Sequence, residues 1–415
     1  MKRRFYVARR EHTQHNQIDK RKHASASAGR KEKPAEAGRR NDHARAERSA
    51  APKRGDQTPE WKRAAKHAST EAGSTSAGRG QRGESPTAKR GGNRVSGEGR
   101  RAGEQLQTER TSVAFMASGV AARDWALPVA VTVETEAQLA EVLKHDAVAL
   151  VYLDEACFTD FAALIRRVHA AGKKAGLRLR RIERDFDASG RKAENSAELL
   201  NGLWKAACLP DALLVRNLDE AMLLEDFFGA HPELGAHIRR NFDYTVYGYN
   251  QEAIQALVSL GADGLTYPIE LTYHECRKLR EKLRSSVRGA DAEADSIGLG
   301  ELPFELMIYG HLPMMVSANC IQRTSARCDH GNRILQLRDR MGKDMPVRCY
   351  CTYCYNQIFN AEPLVLYDLP DEVRALQPQC LRYDFSVEPA AVVRQVLEGA
   401  VPRSMTRGHF RHGIE

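Results

Sequence analysis

The chain has 415 residues and a formal net charge of +9, long enough for one large domain or two ordinary ones. No run approaches the roughly 18–20 apolar residues of a membrane span, and the start Met1-Lys2-Arg3-Arg4 opens no secretory leader. A membrane protein and a secreted disulfide scaffold are therefore not expected. In the cytoplasmic location expected instead, nine cysteines point to metal or redox chemistry.

The charge is split along the chain. Residues 1–110 carry about 28 Lys and Arg against about 13 Asp and Glu, and the remainder about 35 against about 41. Residues 1–115 are rich in Arg, Lys, Gly, Ser and Glu. They cannot bury enough apolar surface to offset chain entropy, so a disordered basic tail is expected. Gly78-Arg79-Gly80-Gln81-Arg82-Gly83 matches GxGxxG but lacks the flanking strand and helix of a dinucleotide site. Arg82-Gly83 and Arg90-Gly91-Gly92 suit contact with RNA phosphates without sequence preference; a solvated linker is the plainer alternative.

From Trp125 onward, short β-branched runs alternate with helical patterns. Strands are predicted at 128–133, 148–153, 175–180, 212–216, 237–242, 264–268, 304–309 and 381–385. Helices are predicted at 136–143, 160–171, 197–207, 219–228, 251–260, 273–283 and 389–397. The pattern favours an α/β fold, a TIM-like (β/α)8 barrel over 124–402 with a Cys-rich insertion at 310–365 before the last strand. The rival is a doubly wound open sheet, disfavoured because no Gly-rich phosphate turn follows the first strand. Residues 403–415 are expected to be a flexible C-terminus.

In a barrel, function sits at the C-terminal strand ends. Polar residues predicted there are Asp154, Glu155, Arg180, Arg181, Arg216, Asn217, Asp243, Tyr244, Glu270, Tyr309, His311 and Asp384, with Arg382 in phase with Asp384. Asp243, Glu270 and Asp384 are the candidate catalytic groups. Arg216, Asn217, Tyr309, His311 and Arg382 are candidates for binding a polar or anionic substrate. The competing reading is a structural salt-bridge network.

Cys320, Cys328, Cys349, Cys351 and Cys354 follow the spacing C-x7-C-x20-C-x-C-x2-C. The Cys351-Thr-Tyr-Cys354 knuckle lets two thiolates reach one centre, and Cys320 and Cys328 can supply two more. Cys349 is an alternative ligand. Four thiolates suit tetrahedral zinc or an iron–sulfur cluster, and the spacing leaves both open. Unligated thiols explain five cysteines in a short polar window poorly, whereas Cys157, Cys208, Cys276 and Cys380 read as buried apolar residues. His274-Glu275 begins like HExxH, but Lys278 stands where the second His belongs; no GxSxG or Walker loop is present.

The run Glu305-Leu-Met-Ile-Tyr-Gly-His-Leu-Pro-Met-Met-Val-Ser-Ala-Asn-Cys320 resembles the signature region of peptidase family U32. So do Leu337-Arg-Asp-Arg-Met-Gly-Lys-Asp-Met-Pro-Val-Arg348 and Cys351-Thr-Tyr-Cys354-Tyr-Asn-Gln-Ile-Phe-Asn360. Leu214-Val-Arg-Asn217, Glu270-Leu271 and Arg382-Tyr-Asp384-Phe385 match further family positions. Asp243-Tyr-Thr-Val-Tyr-Gly-Tyr-Asn250 resembles a segment Asp-x-Ser-Leu-Asn-x-x-Asn, with Tyr247 in place of the first Asn. Asn250 thereby joins the candidate binding residues. Pro313 and Met314 stand near positions where many relatives carry cysteine, so the ligand set either differs from theirs or is completed by Cys351 and Cys354.

The resemblance covers about residues 125–400 and is closest to the second U32-like half of longer members. It implies a second U32-type chain or domain as partner. It also implies a 4Fe–4S cluster and oxygen-independent hydroxylation of RNA, on tRNA or 23S rRNA nucleobases, with prephenate as a co-substrate. Other members were named for collagenase-like proteolysis, so a U32 peptidase is one alternative; a non-catalytic zinc-stabilised binding barrel is another.

Overall fold

The computed structural model describes residues 113–285, 298–325, 328 and 330–413. The expected basic tail lies outside the described residues, except for its last three positions. Elements run β1 (Phe115–Ser118), β2 (Val129–Val133), α1 (Glu136–Val142), β3 (Val148–Asp154), α2 (Phe161–Ala170), β4 (Lys174–Arg178) and α3 (Ser196–Lys205). Next come β5 (Ala212–Val215), α4 (Leu218–Ala230), β6 (Arg239–Phe242), α5 (Gln251–Ser259), β7 (Gly264–Thr266), α6 (Tyr273–Ser285) and β8 (Phe304–Gly310). The insertion holds β9 (Pro313–Ser317), α7 (Ile321–Ser325), β10 (Ile334–Arg338), β11 (Asp344–Tyr350), β12 (Tyr355–Phe359) and β13 (Leu364–Val365). The chain closes with α8 (Pro370–Ala375), β14 (Cys380–Asp384), α9 (Ala390–Leu397) and β15 (Ala400–Pro402).

Strands β2 to β8 and β14 form a closed parallel ring, with β14 between β8 and β2 and β7 paired to β8. This is the expected TIM-like barrel. Alternation builds it. In β2, Val129, Val131 and Val133 face the helices, while Ala130 and Thr132 face the axis. Each buried Val or Leu on the outer face contributes about 1.5–3 kcal/mol. Side-chain caps start the helices: Thr135 with Gln138 and Asn195 with Glu198 form reciprocal capping boxes, and Asn217 and Asn250 cap α4 and α5.

Ala130, Tyr152, Ala212, Leu214 and Cys380 plug the N-terminal end of the barrel. Gly176 makes room for this plug, since a Cβ there would lie 2.4 Å from the Tyr152 ring. The insertion forms a four-stranded antiparallel sheet in the order β10-β11-β12-β9, which the cysteine spacing did not reveal. Residues 403–413, expected to be flexible, pack on the barrel instead: Phe410 is buried, Tyr273 donates its N–H to Phe410 O, and Arg407 pairs with Asp368 at 2.7 Å. No helix among the described residues is long and apolar enough to cross a membrane.

A candidate active site beneath a cysteine-bearing sheet

Above the apolar plug the barrel interior becomes charged. Alternation carries Glu134, Asp154, Arg178, Arg216, Asp243, Glu305, Arg382 and Asp384 inward, all buried. Arg382 is the hub: its guanidinium reaches Asp243 at 2.7 Å, Asp384 at 2.7 Å and Glu305 at 2.5 Å. Arg178 pairs with Glu134 at 3.0 Å and Asp154 at 3.4 Å. Arg216 lies 3.5 Å from Asp154 and 3.9 Å from Asp243. Burying so many charges is tolerable only because each has a partner of opposite sign.

The inserted sheet closes this network from above. Arg348 pairs with Glu134 at 2.9 Å and donates to Ser386 O, and Tyr350 donates its hydroxyl to Glu134 at 3.2 Å. Burial pushes Glu134 above the ordinary carboxylate range, with Arg348 pulling against it. Burial also lifts Asp243, but Arg382, Arg216 and Arg178 outweigh it and hold that carboxyl below its ordinary value. Two carboxyls in one mouth are thus driven apart, the arrangement that separates a proton donor from a permanent anion. Arg216 Nη2 and Asp243 Oδ2 are buried without a hydrogen-bond partner among the described residues.

A second buried network adjoins the mouth. Arg180 pairs with Glu155 at 2.9 Å and Glu183 at 3.2 Å, and the Ser196 hydroxyl is within hydrogen-bond reach of both carboxyls. Burial pushes Glu155 up to about 7 despite Arg180. The Arg180 guanidinium also sits 4.5 Å from the centre of the Tyr353 ring, inside the cysteine knuckle.

Cys320, Cys328, Cys351 and Cys354 line one small recess together with His330, Tyr355 and Asn356. The two separated cysteine segments therefore meet. Cys354 lies in the β11–β12 turn at φ +57. Cys349 is buried nearby; burial lifts its thiol to about 11, reinforced by Cys320 and Cys328. Burial lifts Cys351 to about 12, reinforced by the other four cysteines. Cys351 donates to Gly331 O at 3.1 Å and Cys328 to Gln322 at 3.4 Å. Among the described residues no three Cys, His, Asp or Glu side chains converge closely enough to hold a metal ion. The thiols share a recess without closing on a common point.

Recess and mouth are two sides of one hairpin. Tyr355 lines the recess and stacks on Tyr350 at 4.7 Å, and Tyr350 reaches Glu134 in the mouth.

Of the sequence-predicted residues, Arg216, Asp243, Arg382 and Asp384 come together in the mouth. Tyr309 does not. A bulge in β8 opposite Arg382 and Tyr383 reverses the alternation, so Tyr309 packs outward against Tyr367, Tyr383 and Phe385 while Gly310 faces Asp384. Glu270 lies outside the network, where it accepts from Tyr249 at 2.6 Å. Asn217 and Asn250 serve as helix caps, and Asn217 also donates to Arg180 O at 3.0 Å. His311 is held beside the mouth by Asn360 O and Glu388. Glu134, Arg178, Glu305, Arg348, Tyr350 and His330 were missed. Glu134 was in reach, because it continues the inward phase of Ala130 and Thr132 by one step past the strand.

No family model matches the chain, and no curated protein matches it. Solved structures similar to it include the spore cortex-lytic enzyme SleL of Bacillus cereus, 7% identical over 68% of this chain and 76% of that one, with a TM-score of 0.33. Pyruvate kinase of Cryptosporidium parvum is 8% identical over 66% of this chain and 69% of that one, with a TM-score of 0.32. The YdjI aldolase of Escherichia coli K12 is 14% identical over 45% of this chain and 68% of that one, with a TM-score of 0.26. Likeness at this level carries no functional argument.

Proposed function

We propose that the chain is a cytoplasmic U32-type protein acting in oxygen-independent hydroxylation of an RNA nucleobase. The observation that carries this reading is the shared hairpin. Strands β11 and β12 and their turn supply Cys349, Cys351 and Cys354 to one side and Arg348 and Tyr350 to the other. Cys320, Cys328, Cys351 and Cys354 would hold a 4Fe–4S cluster, with Cys349 as the alternative ligand. Soft anionic sulfur on two segments suits such a group, and its chemistry when bound is one-electron transfer.

The chain's own residues do the rest. Arg216 offers unused donors to an anionic co-substrate, for which prephenate is the candidate by family resemblance. Asp243 stays ionised and fixes Arg382. Glu134, its hold on a proton strengthened by burial, can exchange that proton through the Tyr350 hydroxyl. The inserted sheet keeps water from the mouth. A second U32-type chain or domain belongs to the same reading.

Nucleoside mass spectrometry of RNA from a deletion strain tests it. Loss of one hydroxylated nucleoside, restored by the wild-type gene but not by Glu134→Gln, is the expected result. An unchanged nucleoside profile would remove the RNA reading.

A further inference from the structure

The rim of the barrel carries an exposed apolar patch that the buried network does not use. Leu218, Met222 and Tyr247 are 53%, 53% and 54% exposed. Leu218 and Met222 lie one turn apart on α4 and share a face. Tyr247 ends the short turn after β6. The two segments are tied together: Thr245 donates to Arg216 O at 2.6 Å, and Arg181 reaches Arg216 O and Thr245 O at 3.4 Å. Leu218 and Tyr247 thus each leave the rim two residues beyond a shared anchor.

Tyr247 adopts φ +60, a left-handed conformation that suits Gly or Asn and strains a bulky residue. Its surroundings hold it there. Its N–H donates to Tyr244 O at 3.2 Å, Tyr249 packs edge-on at 5.6 Å, and Glu270 anchors the Tyr249 hydroxyl. The ring itself is left facing solvent. Strain of this kind clusters where ligands are held.

Charge narrows the ligand. Arg181, in the loop after β4, pairs with no carboxylate among the described residues and lies against Thr245, two residues before Tyr247. Glu183, two residues further on, is taken up by Arg180 and Ser196. A flat exposed ring near a guanidinium without a carboxylate partner among the described residues matches a nucleotide, with base on ring and phosphate on guanidinium. We propose that Tyr247, with Arg181, docks a nucleotide of single-stranded RNA at the barrel rim, its base stacked on the tyrosine ring. This rests on the RNA reading above and names the surface that presents the strand to the mouth.

The test measures fluorescence anisotropy of the full chain with a labelled single-stranded RNA of about twelve nucleotides, and with a strand of equal length lacking bases. Tyr247→Ala should weaken binding of the base-bearing strand about tenfold and leave the abasic strand unchanged. Tyr247→Phe should bind within about twofold of wild type, because stacking needs the ring and not the hydroxyl. Tyr247→Asn should lose binding like the alanine variant while its thermal midpoint rises, since Asn fits the left-handed backbone. The N-terminal basic segment is the same in wild type and every variant, so it cancels from the comparison between them.

Equal affinity of wild type and Tyr247→Ala, or of the two strands for wild type, would overturn the proposal. So would a concentration-dependent dimer dissolved by Tyr247→Ala, which would assign the patch to protein contact. If deletion removes a hydroxylated nucleoside yet Tyr247→Ala binds normally, the docking surface fails and the hydroxylation reading stands. If the nucleoside profile is unchanged but Tyr247→Ala loses stacking, the reverse holds.

Discussion

The mouth and the cysteine recess lie on opposite sides of one hairpin and are built by different means. Mouth residues sit in or just beyond regular strands, so the ladder fixes their direction, and Arg382 bridges three carboxylates. Recess residues come from loops, a turn and the start of β12, with His330 and Cys354 both at positive φ. The mouth is rigid because its charges need one another. A bound ion would have to draw the recess thiols together.

Variants sharpen that contrast. The largest effect is expected for Arg382→Ala, which leaves Asp243, Asp384 and Glu305 buried without their shared cation. Breaking such a network costs about 3–5 kcal/mol in urea denaturation; a loss below about 1 kcal/mol would show that the carboxylates do not depend on it.

Next is the pH response of the second network. Folded Glu155 keeps its proton up to about 7, while the unfolded chain releases it near 4.5. The folded state therefore binds more protons between those values, and stability falls as pH rises through that window, then levels off. The full span is about 3 kcal/mol, and Glu155→Gln should flatten it in denaturation curves taken from pH 5 to 7.5. Asp243 acts with opposite sign: its contribution is complete above the ordinary Asp range and is lost as pH falls through its lowered value.

Gly310→Ala should cost about 1–3 kcal/mol. Its φ is +152, and a Cβ there would lie 2.9 Å from the Asp384 Cβ. An unchanged unfolding midpoint would show that the bulge relaxes freely. Asn250→Ala removes only a helix cap, costs about 1 kcal/mol, and should leave RNA binding unchanged. Reduced binding by that variant would give Asn250 a part in recognition as well as in capping.

Much of the fold was legible because alternation and helix periodicity recur around the ring. The same alternation pointed to Asp154, Arg216, Asp243, Arg382 and Asp384. It misplaced Tyr309, because a one-residue bulge reverses facing and leaves no mark in sequence. Arg178 and Glu305 were passed over as positions within strands rather than beyond them. Arg348 and Tyr350 were hidden for another reason: an insertion read for its cysteines also supplies the cover of the mouth, and a neighbour from a separate sheet has no local signature.

Metal analysis of anaerobically purified protein tests most directly whether thiolates of two segments hold an iron–sulfur cluster beside the mouth. The account predicts about four iron and four sulfide per chain, lost in both Cys351→Ala and Cys354→Ala while the barrel stays folded. Iron that survives both substitutions, or a single zinc in its place, would contradict it.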